Sequence, residues 1–285
     1  MKNILFINFP QQYQKGFQSC VESLGYNYFH ITFPKVTLHN NQILIHQQYI
    51  SEFDFVVIGL TEKHKYISPI VKETLVSKNI PFLSYGHKPD YIDSKSQELF
   101  RLSSHNLPII PSVITSDIEF LTQFIAHHPG EFISKPIGGK KGRDILKHDT
   151  LDSIVKRVES YHTPLIIQPF IPNDGDYRVW VLKNSVVGVI KRTPSSSTEF
   201  RSNISLGGNA VISSLPEAIL DLAVQAVQVM DFDLAGVDII QNSKTGQFHI
   251  MEVNSAPQFQ GFMNTTGINL YEVLTNYIIN RLNES

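Results

Sequence analysis

The sequence predicts an α/β fold with a middle segment of α+β character. Three observations predict it. Apolar runs of strand length alternate with helix-length stretches over residues 1 to about 90, the pattern of a parallel sheet. Strand pairs about short polar turns follow in the last third. Apolar residues make up 42% and charged ones 18%, a balance that suits a folded chain rather than a disordered one. A length of 285 residues allows one large domain or two to three small ones, with a core that needs no disulfide or metal as a prop.

The elements follow in order. Residues 4–9 (ILFINF) are a buried strand, an apolar run bounded by turn residues. Residues 11–24 are a helix stopped by Gly25. Residues 28–33 and 42–46 are short strands, and 53–60 (FDFVVIGL) are another buried one. A helix over 66–78, a strand over 81–85 and a linker over 86–91 complete the first unit. The second opens with a helix from 93 to about 104 and an extended stretch over 109–115. Ser116 and Glu119 form a capping box for the helix ending at His127. A strand over 131–135 enters the basic, glycine-rich loop 136–142, and a helix over about 151–160 leads to the strand 165–168. Then come the strands 176–182 and 186–192 and the polar loop 193–208. The helix 216–230 carries proline in its first turn, where the missing N–H costs nothing. A second hairpin, 234–241 with 247–253, and a closing helix over 268–282 end the chain.

Charge and cysteine usage exclude several classes. There are 24 Lys plus Arg against 26 Asp plus Glu, so the net charge of −2 does not fit a polybasic binder. The 18 Phe and 11 Tyr sit in apolar runs and do not interleave with basic residues, so no nucleic-acid partner is expected. Cys20 is the sole cysteine, which rules out an intramolecular disulfide or a cysteine-based zinc cluster. No apolar stretch approaches the ~20 residues that span a bilayer, and the opening run has no cleavage site, so the expected location is cytoplasmic without a membrane partner.

The chemistry begins with acids inside apolar strands. Asp238 lies in GVDII and Glu252 in HIMEVN. Strand alternation puts Glu252 and Asn254 on one face, and the turn near Lys244 sets Asp238 opposite residues 250–252. A buried carboxylate needs a partner or a metal, and three hard oxygen ligands suit Mg²⁺. The spacing leaves two readings open, a metal site or a half-exposed sheet face with ordinary acids. Basic residues complement them: Lys135 at a strand end, Lys191 and Arg192 at another, Arg201 in a polar loop. Gly138 to Gly142 is no Walker A loop, and by itself reads as a solvated basic turn. Neither a G-x-S-x-G elbow nor an H-E-x-x-H motif occurs. The pair His127-His128 reads as structural, since cationic side chains suit a helix C-terminus.

Several motifs in order then carry a resemblance. They are DYRVWV at 176–181, VVGVIKR at 186–192, FRSN at 200–203, Gly207-Gly208, AGVDI at 235–239, MEVNSAP at 251–257 and TTGI at 265–268. From about Asp93 onward the chain resembles the ATP-grasp ligases, in particular the RimK-like branch of ribosomal-protein glutamate ligases. The resemblance implies an N-terminal α/β domain over 1–92, a mobile central lid over 93–170 and a C-terminal subdomain over 171–285. It implies ATP, with Mg²⁺ or Mn²⁺ as the metal. Lys95 and Lys135 would contact ATP phosphates. Gln168, Pro169, Phe170 and Ile171 would be the hinge that reads adenine, and Asp176 would hold the ribose. Arg192 and Arg201 would be catalytic, facing the phosphates and the reacting carboxylate, with Ser202 and Asn203 beside them. Asp238, Glu252 and Asn254 would hold the metal.

Two local departures accompany it. Pro169 stands at a hinge position where relatives often carry an acid, and Gln258 stands where they usually carry glycine, bordering the acceptor side. The activity implied is amide-bond formation through an acyl phosphate. The substrates would be a carboxylate donor and an amine acceptor, such as glutamate with a protein tail, a peptide or a small molecule. A homo-oligomer is left open. The alternative from another class is a nucleotide-binding regulatory module without turnover.

Overall fold

The computed structural model describes residues 1–61, 63–64, 66–86, 95–138, 144–194 and 209–284. The chain forms two compact units. One comprises Met1–Asp90, Asp231–Ala235 and Asn254–Ser285, the other Tyr91–Met230 and Gly236–Val253.

The first unit is built on β1 (Asn3–Ile7), whose apolar run Ile4 to Ile7 is fully buried. Helix α1 (Gln11–Ser23) follows, burying Tyr13, Phe17 and Val21 at one-turn intervals. It ends just before Gly25, which adopts φ +82°. Next come β2 (Asn27–Ile31), the small antiparallel sheet β3 (Thr37–His39), β4 (Gln42–Ile45) and β5 (Gln48–Tyr49), then β6 (Phe55–Ile58), α2 (Ser68–Ser77) and β7 (Phe82–Ser84). The main sheet runs β2-β1-β6-β7 and is parallel throughout, as the alternation of strand and helix predicts.

In the second unit, α3 (Lys95–Ser104) precedes β8 (Val113–Thr115), α4 (Ile118–His127), β9 (Phe132–Pro136), β10 (Leu146–His148), α5 (Leu151–Glu159) and β11 (Leu165–Pro169). These strands form an antiparallel sheet, β10-β9-β11-β8, over a core of Val113, Leu121, Phe132, Ile154, Leu165 and Ile167. The cap of α4 differs from the expected Ser116 box. Asp117 is the N-cap, and its carboxylate accepts the N–H groups of Glu119 and Phe120. The shorter acid reaches the second and third helical N–H groups directly.

A five-stranded sheet, β14-β13-β12-β15-β16, follows. It is made of β12 (Asp176–Leu182), β13 (Ser185–Thr193) and β14 (Asn209–Ile212), then, after α6 (Glu217–Val229), β15 (Leu234–Gln241) and β16 (Phe248–Asn254).

The chain closes with α7 (Phe259–Thr266) and α8 (Leu270–Glu284), which belong to the first unit. There Phe259 stacks on Tyr13 with ring centroids 4.5 Å apart, and the Tyr85 hydroxyl donates to the Pro257 carbonyl at 3.0 Å. The Tyr271 ring lies where a Cβ on residue 16 would be, so this helix contact requires Gly16.

Candidate functional site

Charges line one face of adjacent strands in the five-stranded sheet. On β12, Asp176 and Arg178 share a face by alternation. Asp176 is the cross-strand partner of Arg192 on β13. Arg192 Nε donates to Asp176 Oδ1 at 2.8 Å, and Nη2 donates to Oδ2. From the other side, Arg178 grips Asp238 of β15, with Nε to Oδ1 and Nη2 to Oδ2 both at 2.7 Å. Arg192 Nη2 also lies 3.0 Å from Asp238 Oδ2. Four charges thus form one network in which each acid faces an arginine fork.

Burial and charge act oppositely on these acids. Burial pushes the Asp238 carboxyl up, but Arg178 and Arg192 together outweigh it and hold it below the usual carboxylate range. For Asp176 burial wins over Arg192 and the carboxyl moves up. Arg192 is desolvated too, yet its two carboxylates hold it charged.

A second cluster joins α3, β9 and β16. Lys95 Nζ lies 3.8 Å from Glu252 Oε2. The buried Glu98 carboxylate accepts the Val253 N–H at 2.5 Å, the residue after Glu252. Lys135, half-buried as a whole residue, is pushed down to about 8 by burial of its side chain and by the Lys95 charge, against the opposing pull of Glu252 and Glu98. Two ammonium groups that repel each other beside carboxylates fit a polyanion such as a nucleotide polyphosphate.

The proposed hinge ends β11. The Gln168 amide donates to the Ser112 hydroxyl at 2.7 Å, and the Phe170 N–H is taken by the Glu131 carbonyl at 2.7 Å. The Ile171 carbonyl accepts from the Asn173 amide at 2.8 Å. Pro169 pairs in register with Phe132. Arg201, Ser202 and Asn203 lie outside the described residues, as do residues 139–143 of the glycine-rich loop and the pair Gly207-Gly208. Asn254 ends β16, two residues beyond Glu252.

Two acids on neighbouring strands are the candidates for a hard divalent cation, although both Asp238 oxygens are held by Arg178 and Arg192 in this structure. Asp238 is held ionised, and Glu252 presents a carboxylate on the neighbouring strand. Among the described residues no group of three or more His, Cys, Asp and Glu side chains could hold a metal. A metal at Asp238 and Glu252 would therefore rely on few protein ligands and on phosphate oxygens, the usual arrangement for Mg²⁺. Sequence reasoning passed over Arg178 and Glu98. A charged residue alternating with Asp176 along an apolar strand was the available signal for Arg178.

Comparison with known proteins identifies the family. The model of the RimK-like ATP-grasp domain matches residues 93–278. The chain belongs to the RimK-like ATP-grasp family. A probable alpha-L-glutamate ligase of Shewanella halifaxensis is 32% identical over 244 residues, which are 82% of this chain and 52% of that protein. The chain spans about half the length of the curated relatives it matches.

Solved structures show the same ATP-grasp fold. The ATP-grasp ligase PsnB, complexed with a minimal precursor, Mg and ADP, superposes with a TM-score of 0.75 at 18% identity and 98% coverage of both chains. A Chryseobacterium gregarium RiPP-associated ATP-grasp ligase, bound to ADP and a leader and core peptide, gives 0.72 at 15% identity, covering 99% of this chain and 97% of its own. Among the described residues no helix is long and apolar enough to cross a membrane.

Proposed function

We propose that this RimK-like ATP-grasp chain is an ATP- and Mg²⁺-dependent carboxylate–amine ligase, with one of the two joined groups carried on a peptide or protein. The observation that carries the reading is the meeting of Lys95, Lys135 and Glu252, which come from three separate elements. Cations for phosphate and an acid for metal at one place are what phosphoryl transfer to a carboxylate requires. The peptide part rests on neighbours that share the fold over nearly the whole chain and hold precursor peptides. The names of the curated relatives suggest glutamate as one of the two joined groups.

A carboxylate is a poor acyl donor because its leaving group would be oxide. Transfer of the γ-phosphoryl group to one carboxylate oxygen, with release of ADP, gives an acyl phosphate. The amine nitrogen then attacks the acyl carbon, the bond to the phosphate oxygen breaks, and the surplus proton leaves the nitrogen for solvent. Mg²⁺, when bound, supplies charge neutralisation and a fixed phosphate geometry.

Asp238, Glu252 and Asn254 would hold it. Lys95 and Lys135 would neutralise the phosphates, and Arg178 would face the reacting groups with Arg201, Ser202 and Asn203. Residues 168–171 would read the adenine. No protein nucleophile is needed, in keeping with positioning and electrostatics as the sources of rate.

The test measures ADP release by the purified chain against a panel of amino acids and peptides as acid and amine, with product masses. The reading expects one pair to give ADP and a product lighter by one water than the sum of its substrates. ADP release that no pair stimulates would remove the ligase assignment.

A further inference from the structure

We infer that His148 is a positioning residue for nucleotide phosphates, acting through Ser134 on its chain neighbour Lys135. The inference rests on the nucleotide part of the ligase reading and gives a role to a buried polar group which that reading leaves unused. His148 lies on β10, Ser134 on β9 and Ser153 on α5. The Ser134 hydroxyl is 2.7 Å from His148 Nε2, and the Ser153 hydroxyl is 2.8 Å from Nδ1. His148 is 4% exposed and Ser134 is fully buried. A serine so enclosed meets no substrate, so the pair is not a nucleophile with its base. Each ring nitrogen has a hydroxyl partner, and the three side chains tie two strands to one helix.

The place of this tie gives it a function. Strand β9 runs from Ser134 directly into Lys135, whose side chain leaves the opposite face by alternation. Strand β10 has three residues and lies at the edge of its sheet, beside β9. A ladder that short holds its register weakly, and a slip by one residue would turn His148 away and leave the Ser134 hydroxyl buried without this partner. Asp144, four residues before His148, is fixed to the same helix. Its carboxylate accepts from Arg157 Nη2 at 2.5 Å and from the hydroxyl of Tyr161, just past the end of α5, at 2.9 Å. Asp144 and His148 are thus both held at α5, and His148 passes that hold to the strand that carries Lys135.

The test uses the full chain and compares wild type with His148→Leu, His148→Gln and His148→Asn. Calorimetry gives affinities for ATP, ADP and AMP at a temperature where melts show each protein folded. Glutamine sets its amide near the Nε2 position and keeps the link to Ser134. Asparagine sets its amide near Nδ1 and keeps only the link to Ser153. His148→Leu should lower ATP affinity by about 10-fold, the equivalent of about one hydrogen bond lost from the bound state. AMP affinity should change much less, because the displaced group serves the outer phosphates.

His148→Asn should resemble His148→Leu, and His148→Gln should recover most of the loss. Ser134→Ala serves where the His148 variants do not fold, with the same expected split between ATP and AMP. Unchanged ATP affinity in His148→Leu or Ser134→Ala, equal losses for all three nucleotides, or recovery by asparagine rather than glutamine overturns the inference and leaves the ligase reading standing. A wild type that binds none of the three nucleotides overturns both.

Discussion

Glu98 on α3 accepts the backbone N–H of Val253 on β16 at 2.5 Å, across 155 positions of sequence. The contact pins the strand beside Glu252, which carries one of the two carboxylates of the candidate metal site. Glu98→Ala would leave a buried N–H unsatisfied and is expected to destabilise the protein by about 1–3 kcal/mol. Glu98→Gln keeps an acceptor in place and should lose less. Urea midpoints of the three proteins measure the order, and equal midpoints would show that the bond holds nothing.

Lys135 gives a pH signature. Its folded value of about 8 lies below the ordinary lysine range. Between about 8 and the unfolded value near 10.4, the unfolded chain binds the extra proton. Stability without nucleotide should therefore rise with pH across that window. Phosphate binding needs the charged form, so ATP affinity should fall as pH rises through about 8. Lys135→Arg stays charged and should flatten that fall in a calorimetric pH series.

Arg178 should matter for stability as well as for chemistry. Its fork makes two hydrogen bonds to Asp238, and Arg192 reaches only one oxygen of that carboxylate. Arg178→Ala is expected to cost about 1.5–3 kcal/mol, the range for bonds to a charged group. Arg178→Lys should recover part of this and little of the turnover, because an ammonium cannot bridge both oxygens. Denaturation and ADP release measured side by side separate the two effects.

The sheet of the middle segment has its own acid sensitivity. His148 is buried, with Ser134 Oγ 2.7 Å from Nε2 and Ser153 Oγ 2.8 Å from Nδ1. Burial, with the Arg157 charge, holds its imidazole below the ordinary histidine range, against Asp149. As pH falls below about 6.5 the unfolded chain takes up this proton first, so stability is lost from there downward. A His148→Gln variant should show a shallower loss between neutral and mildly acid pH in thermal melts.

Elements with strong periodicity were legible in the sequence. The strand 234–241 and the strand 176–182 match β15 and β12 at both ends, and the parallel alternation of the first unit holds. Short elements were not legible. Helix α7 begins two residues after Pro257 in a stretch read as a motif tail, and it is fixed by packing of Phe259 on Tyr13 from the far end of the sequence. Strand β10 has three residues and gains its place from pairing with β9.

In the site, Asp238 and Glu252 stood out because an acid in an apolar strand needs a reason. Glu98 did not, because an acid on an amphipathic helix reads as solvated until the distant Val253 N–H is brought to it. Arg178 was hidden in the same way, since its partner lies 60 positions away.

The most direct measurement follows the oxygen. The carboxylate substrate is labelled with heavy oxygen in both positions, and the phosphate released during coupling to the amine is analysed by mass. Passage through an acyl phosphate moves one carboxylate oxygen onto phosphorus, so each released phosphate should carry one heavy oxygen and the amide product should retain the other. Unlabelled phosphate alongside a fully labelled acid would contradict the account, because ATP would then have been split by water rather than by the carboxylate.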